Sequence, residues 1–328
     1  MSPPSVKSGW LRSPRFDLLF LANVLWPALL LPGMSADGST AVDFWQIYFL
    51  TLPHRWITLV LVAIDPDRRG QRSFVLTGLA LMFAVMVGGA YLGTSAFLCL
   101  GAIDYVWNAW HFASQHAGVL RIYSKQSGGG IAWLERWGIR LFITYTICRT
   151  AGEILTQQVG WSSDILPMPW IDWGMIAIPI ALLVTNGGDW RRERWPKMIY
   201  LASVLTLYTG YLISGNQRAS TWIVCFATAA SLFHATEYLA IVSHYALRRN
   251  KVGSEGLMRQ VSRFWVPLLA LYMLGLGMLG WWMTRMSGPW GIAWQGLNLW
   301  AAFTHYAWDG MIWKLRQPAT AQALGSSA

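Results

Sequence analysis

Ten long apolar runs constrain what this chain can fold into more than any other feature. They cover about residues 17–33, 43–64, 73–94, 96–119, 139–157, 172–187, 196–214, 219–246, 264–284 and 291–313. A helix that crosses a bilayer needs roughly 17–25 predominantly apolar residues, and it must satisfy every backbone N–H and C=O within the segment. The sixth run is the weakest, being short and followed by NGGDW at 186–190. Only 12% of the 328 residues are charged and 55% are hydrophobic, against a usual charged share of about 25% in soluble domains. The expected fold class is all-α, a polytopic integral membrane helix bundle of about ten transmembrane helices in a lipid bilayer. A soluble fold is excluded.

The basic residues test that count. With the N-terminus inside, inside segments hold 21 of the 25 Lys and Arg residues. Outside segments hold only Arg218 and Arg285, while Arg55 and Arg149 fall within spans. Inward Lys/Arg bias is the expected topological signal, and adding or losing one span mid-chain would scramble it. Both termini are therefore expected in the cytoplasm. The net charge of +10 is topological, with some attraction to anionic lipid, and needs no nucleic-acid partner. The organisation expected is a cytoplasmic lead over 1–16, a single transmembrane helical domain over 17–316, and a small, polar, disordered cytoplasmic tail over 317–328. No cleavable signal follows the basic lead, so the first run should remain as an anchor.

Cys99, Cys148 and Cys225 all lie in apolar runs without CxxC spacing, so they read as packing thiols. SGGG at 127–130 follows no strand and reads as a loop. Gly89 and Gly93 form GxxxG, and GLGMLG occupies 275–280; both read as close helix contacts.

All six histidines fall in four of the spans: His54 in the second, His111 and His116 in the fourth, His234 and His244 in the eighth, and His305 in the tenth. Even-numbered spans run in one direction, so depths compare directly at about 1.5 Å per residue. His54, His111, His234 and His305 come out roughly 12–20 Å from the cytoplasmic ends of their spans, and His116 and His244 roughly 5 Å. Ionisable groups within spans are functional candidates. Carboxylates join them in register. Glu237 is three residues after His234 and seven before His244, and Asp309 is four after His305, so each shares a helix face with its histidine.

Imidazole and carboxylate one turn apart on facing helices is how bundle cores hold metals. With no paired cysteines the donor set suits iron, manganese or zinc. The candidate ligands are His54, His111, His116, His234, His244, His305, Glu237 and Asp309, the two carboxylates also being the catalytic candidates. His111 and His116 subtend about 140° and cannot easily share one ion from a regular helix. They serve two ions, or one of them is an interfacial or supporting residue; Gln115 is placed to hold a ligand by hydrogen bonding. A histidine between membrane helices can also serve only as a hydrogen-bonding residue. Arg55 and Arg149 read as counter-charges for Glu237, Glu153 or Asp104.

The motifs LPH (52–54), WHF (110–112), FH…H (233–244) and THYAWDGMIWKLR (304–316) resemble, in order, the histidine motifs of the bacteriorhodopsin-related-protein-like β-carotene dioxygenases. The resemblance covers about a quarter of the chain, in fragments. The spans here are more numerous, and the HFASQH pair at 111–116 has no counterpart in that family. It implies a multi-pass protein of the bacterial inner membrane that holds non-haem iron through membrane histidines. One or two ions, an apolar small-molecule substrate such as a carotenoid, acyl chain or quinone-like molecule, and a redox partner follow from that reading, which makes the chain a membrane oxygenase. Two other classes stay open. One is a proton-coupled transporter using Arg149, Glu153, Asp104 and the histidines as a relay. The other is a tetrapyrrole-binding subunit with axial ligands such as His54 and His234. An assembly subunit without cofactor is a further alternative.

Overall fold

A segment without water can satisfy its backbone only as a helix or a closed barrel, and this chain uses helices. The computed structural model describes residues 9–31, 38–69, 73–91, 94–127, 130–159, 168–187, 194–252 and 256–313, and no strand occurs among them. In chain order the long helices are α1 (Leu52–Ile64), α2 (Ser73–Tyr91), α3 (Thr94–Ser127), α4 (Ala132–Val159), α5 (Met168–Gly187), α6 (Trp195–Asn216), α7 (Ser220–Val252), α8 (Trp265–Met283) and α9 (Pro289–Ile312). Six helical stretches are long and apolar enough to cross a membrane: Val42–Ile64, Ser73–Tyr91, Trp170–Gly187, Trp195–Asn216, Ser220–Arg249 and Trp265–Met283. The expected spans at 96–119, 139–157 and 291–313 lie within α3, α4 and α9. These helices are 34, 28 and 24 residues long, so length is ample, but their interior polar residues lower the mean hydropathy.

The first expected span is built differently. Residues Asp17–Leu21 make a π turn, Asn23 has a φ of 43°, and Trp26–Leu30 make a 3₁₀ turn. Pro27 lacks an N–H, and a left-handed asparagine ends a helix. The segment is held by side chains instead. The Asp17 carboxylate accepts from the Leu11 and Arg12 amides at 2.6 and 3.1 Å, and Trp26 Nε1 donates to Ser203 at 3.1 Å.

The chain divides into two compact units, Met1–Val42 with Ala109–Glu237, and Asp43–Asn108 with Tyr238–Ala328. The first unit packs α4, α5 and α6 on one another, around Phe142, Ile143, Leu182, Leu201, Val204 and Tyr208, all buried. Close approach is set by small residues. A Cβ on Gly138 would meet Leu182 at 3.3 Å, and one on Gly215 would meet Thr150 at 2.8 Å. A buried ion group ties the helix ends. Lys197 Nζ donates to Glu135 Oε1 at 2.5 Å and to Asn186 Oδ1 at 2.6 Å, while Ser124 and Arg121 bind the other Glu135 oxygen.

In the second unit α9 packs on α1 and α2, and α8 packs on α1 and on the π segment Gln46–Thr51 that leads into it. That segment follows from Pro53. Its ring has no N–H and crowds the carbonyl four residues back, and widening the turn to i→i+5 relieves both. The Leu52 amide accordingly bonds Ile47 O. Gly277 and Gly280 are close contacts, facing Phe49 and Leu52, whereas Gly89 faces open space. Gly93 lies outside the described residues, as do the side chain of Glu153, residues 1–8 of the lead and the tail 317–328. Of the cysteines only Cys225 is buried; Cys99 is exposed.

Candidate functional site

In the second unit, α1 carries His54 and, one turn on, Thr58, while α9 carries His305 and, one turn on, Asp309. All four are enclosed, His305 and Thr58 completely. The His54 and His305 rings meet edge to face with centroids 5.1 Å apart. Tyr238 closes the group, its ring 5.1 Å from His305.

The hydrogen bonds run in one direction. Tyr238 donates to Asp309 Oδ1 at 2.6 Å. Its oxygen is then an acceptor, for Trp313 Nε1 at 3.2 Å and Thr58 Oγ1 at 2.5 Å. Thr58 Oγ1 also donates to Asp309 Oδ1 at 3.3 Å; a hydroxyl has one proton, so with it directed to Asp309 or Tyr238, Thr58 accepts from His305 Nδ1 at 2.7 Å. This order assigns the Nδ1–H tautomer to His305 and puts the ring's lone pair on Nε2, the form a metal ligand takes. That Nε2 lies 3.8 Å from Asp309 Oδ2. The separation is too long for a hydrogen bond. It suits two donors sharing one ion through bonds of about 2.1 Å, which stand roughly 3–4 Å apart. Imidazole and carboxylate are donors that suit non-haem iron. His305 and Asp309 are thus placed to share a divalent metal ion, with the His54 ring beside them.

The first unit repeats the arrangement with different residues. Here α3 carries His111 and, one turn on, Gln115, and α7 carries His234 and Glu237. The His111 and His234 rings meet edge to face with centroids 4.9 Å apart, and Phe112 stacks on His234 at 3.8 Å. A tyrosine again holds the carboxylate: Tyr200 from α6 donates to Glu237 Oε1 at 2.6 Å. Gln115 donates to Glu237 Oε2 at 2.6 Å and to the His234 carbonyl at 2.9 Å.

His116 is fully buried. Its Nδ1 lies 3.2 Å from Glu237 Oε2 and 3.1 Å from the Tyr200 hydroxyl, and its Nε2 lies 3.3 Å from Tyr208. Glu237 thus accepts from Tyr200 and Gln115 and lies beside His116. Tyr123, beyond the expected fourth span, stacks near Tyr200 and donates to Asp17. Burial, and then the Asp17 charge, hold its phenol well above the ordinary range. His244 is buried in the second unit, six residues along α7 from Tyr238.

Of the interior arginines, Arg149 meets a carboxylate that the sequence did not single out and Arg55 meets one that it did. Arg149 Nε lies 3.3 Å from Asp172, which also accepts from Tyr145 at 2.6 Å and Asn216 at 3.1 Å. Arg55 acts on Asp104, beside Tyr306. The residues missed by sequence reasoning are Thr58, Tyr200, Tyr208 and Tyr238. Thr58 had a signal, standing one turn after His54, but tyrosines in membrane helices are too common to stand out.

Comparison with family models, with curated proteins and with solved structures gives no match.

Proposed function

We propose that the chain is a multi-span oxidoreductase of the bacterial inner membrane that holds non-haem iron and oxygenates or cleaves a lipid-soluble substrate. The observation that carries this reading is the His305–Asp309 pair, with its Nε2 to Oδ2 separation of 3.8 Å, the His54 ring packed edge to face beside it and Thr58 at His305 Nδ1. In the first unit the His111 and His234 rings, with centroids 4.9 Å apart, leave a second ion within the proposal.

Ring geometry helps to choose between cofactors. Two imidazoles on one ion at right to tetrahedral angles set their centroids about 4–5 Å apart, whereas trans ligands across a porphyrin need about 6 Å or more. The pairs at 5.1 and 4.9 Å favour a shared ion over a tetrapyrrole between the rings. Bound iron would supply dioxygen activation. The chain's own work is to keep His305 in its ligating tautomer, hold Asp309 through Tyr238, and exclude water with Phe and Trp side chains. Ten spans with cytoplasmic termini belong to the same proposal, supported by the Lys/Arg distribution. The resemblance in LPH, WHF, FH…H and THYAWDG supports the substrate class.

The test is metal content per chain in His305→Ala and Asp309→Asn beside wild type, in purified detergent-solubilised protein. Loss of iron with retained helicity supports the proposal. Unchanged iron in both variants contradicts it.

A second reading, a proton-coupled carrier, draws on the Arg149–Asp172 pair and the His116–Glu237–Tyr200 group, since buried ionisable chains serve proton relays. Proton flux into vesicles holding the metal-free protein would favour it.

A further inference from the structure

The geometry points to a binding site for the phosphate of an anionic phospholipid on α4, made by Arg136 and Arg140 with Trp110 and Trp137. The two arginines stand one turn apart on the same helix face. The Arg140 guanidinium lies beside a pair of indoles that are themselves 6.1 Å apart, its Cζ 5.2 Å from the Trp110 centroid and 5.5 Å from that of Trp137, within reach of a cation–π contact. Its buried Nε has no hydrogen-bond partner. Among the described residues neither arginine forms an ion pair, and the one charged group acting on Arg140 is Arg136. Two like charges one turn apart, one of them half-buried, call for an anion.

The place on the helix selects which anion. α4 has 28 residues and so is about 42 Å long, exceeding a hydrocarbon core of about 30 Å. Its first turns therefore reach headgroup level. Trp133, Trp137 and Leu141 follow one another at i, i+4 and i+8 and are all exposed. Exposed tryptophans are the usual residues at that level. A phosphodiester bound by the arginine edges would lay its acyl chain along this stripe. A soluble phosphate would use the arginines and leave the stripe bare. The occupant is thus a lipid headgroup phosphate with net negative charge, and the site is independent of any metal.

The experiment is native mass spectrometry of the full-length protein in detergent, titrated separately with phosphatidylglycerol, phosphatidylcholine and inorganic phosphate. Wild type should bind at least one phosphatidylglycerol about tenfold more tightly than phosphatidylcholine, since each arginine near the surface contributes to holding the anion. Arg136→Gln with Arg140→Gln should lose that preference, whereas Arg285→Gln should keep it. Lysine at both positions keeps the charge but loses the planar fork, and should give an intermediate preference. Equal binding of the two lipids by wild type overturns the proposal, even if the glutamine variant fails to fold. So does an unchanged preference in that variant. Inorganic phosphate binding as tightly as phosphatidylglycerol also overturns it, because the site would then serve a soluble or adventitious anion.

Discussion

Tyr238 donates its hydroxyl proton to Asp309 Oδ1 at 2.6 Å, and this bond leaves the Tyr238 oxygen as an acceptor beside Thr58 and His305. Thr58 gives its proton to Tyr238 or to Asp309 Oδ1 at 3.3 Å and accepts from His305. Tyr238→Phe removes one donor from a buried carboxylate and the acceptor that Thr58 uses. Outer residues of this kind typically contribute 10–100-fold to metal affinity. The variant should bind iron about 10–100-fold more weakly, with little change in helicity, as read by competition with a chelator.

Thr58→Val tests the tautomer. Without the hydroxyl, nothing in that chain keeps the proton on Nδ1 of His305. Nitrogen-15 spectra of histidine-labelled, metal-free protein should show one Nδ1–H imidazole in wild type become a mixture or the Nε2–H form. An unchanged spectrum would remove Thr58 from this role.

The Lys197–Glu135 pair gives a stability prediction that does not depend on function. Both side chains are buried, at 3% and 0% exposed, so removing one partner leaves an uncompensated charge. Glu135→Leu should cost about 3–5 kcal/mol, whereas combining it with Lys197→Met should recover most of that loss. Thermal unfolding in detergent reads the difference. A double variant worse than the single would show that the pair stabilises the unit in its own right.

Two glycines should respond oppositely to enlargement. A Cβ at Gly215 would stand 2.8 Å from Thr150 Cγ2, while Gly89 has nothing within 4 Å. Gly215→Ala should destabilise the protein by about 1–3 kcal/mol through overpacking, and Gly89→Ala should be neutral or slightly stabilising because alanine favours the helix. Equal midpoints for the two variants would contradict the packing described for the first unit.

Topology follows from the distribution of Lys and Arg. Reporter fusions at positions 128 and 188 should score as cytoplasmic, and at 37 and 164 as periplasmic. Reversal at either pair would sink the ten-span count and the depths derived from it.

Much of the fold was readable because long apolar runs leave helices as the only economical solution. The His–carboxylate faces were readable for a similar reason, since i+3 and i+4 spacing puts His234 with Glu237, and His305 with Asp309, on one side of a helix. The irregular course of residues 17–31 was not. Its apolar content reads as a span, and the break comes from Asn23, Pro27 and the carboxylate of Asp17 acting together. The enclosure of His116 was not readable either: distance along a helix gives height in the bilayer but says nothing of what encloses a side chain from the flanks. Tyr200, Tyr208 and Phe233 surround it, and their contribution depends on packing of α6 and α7 that no local pattern encodes. Likewise Asp172, at the edge of the weakest apolar run, gave no sign that it would meet Arg149.

The central claim is that His305 and Asp309, with the histidine rings packed beside them, hold iron without haem. Elemental analysis of the purified wild-type protein, taken with its absorbance spectrum, tests it most directly. At least one iron per chain and no tetrapyrrole absorbance are expected. A preparation that carries haem, or a metal-free protein that keeps its cellular role after His54 and His305 are both replaced by alanine, would contradict it.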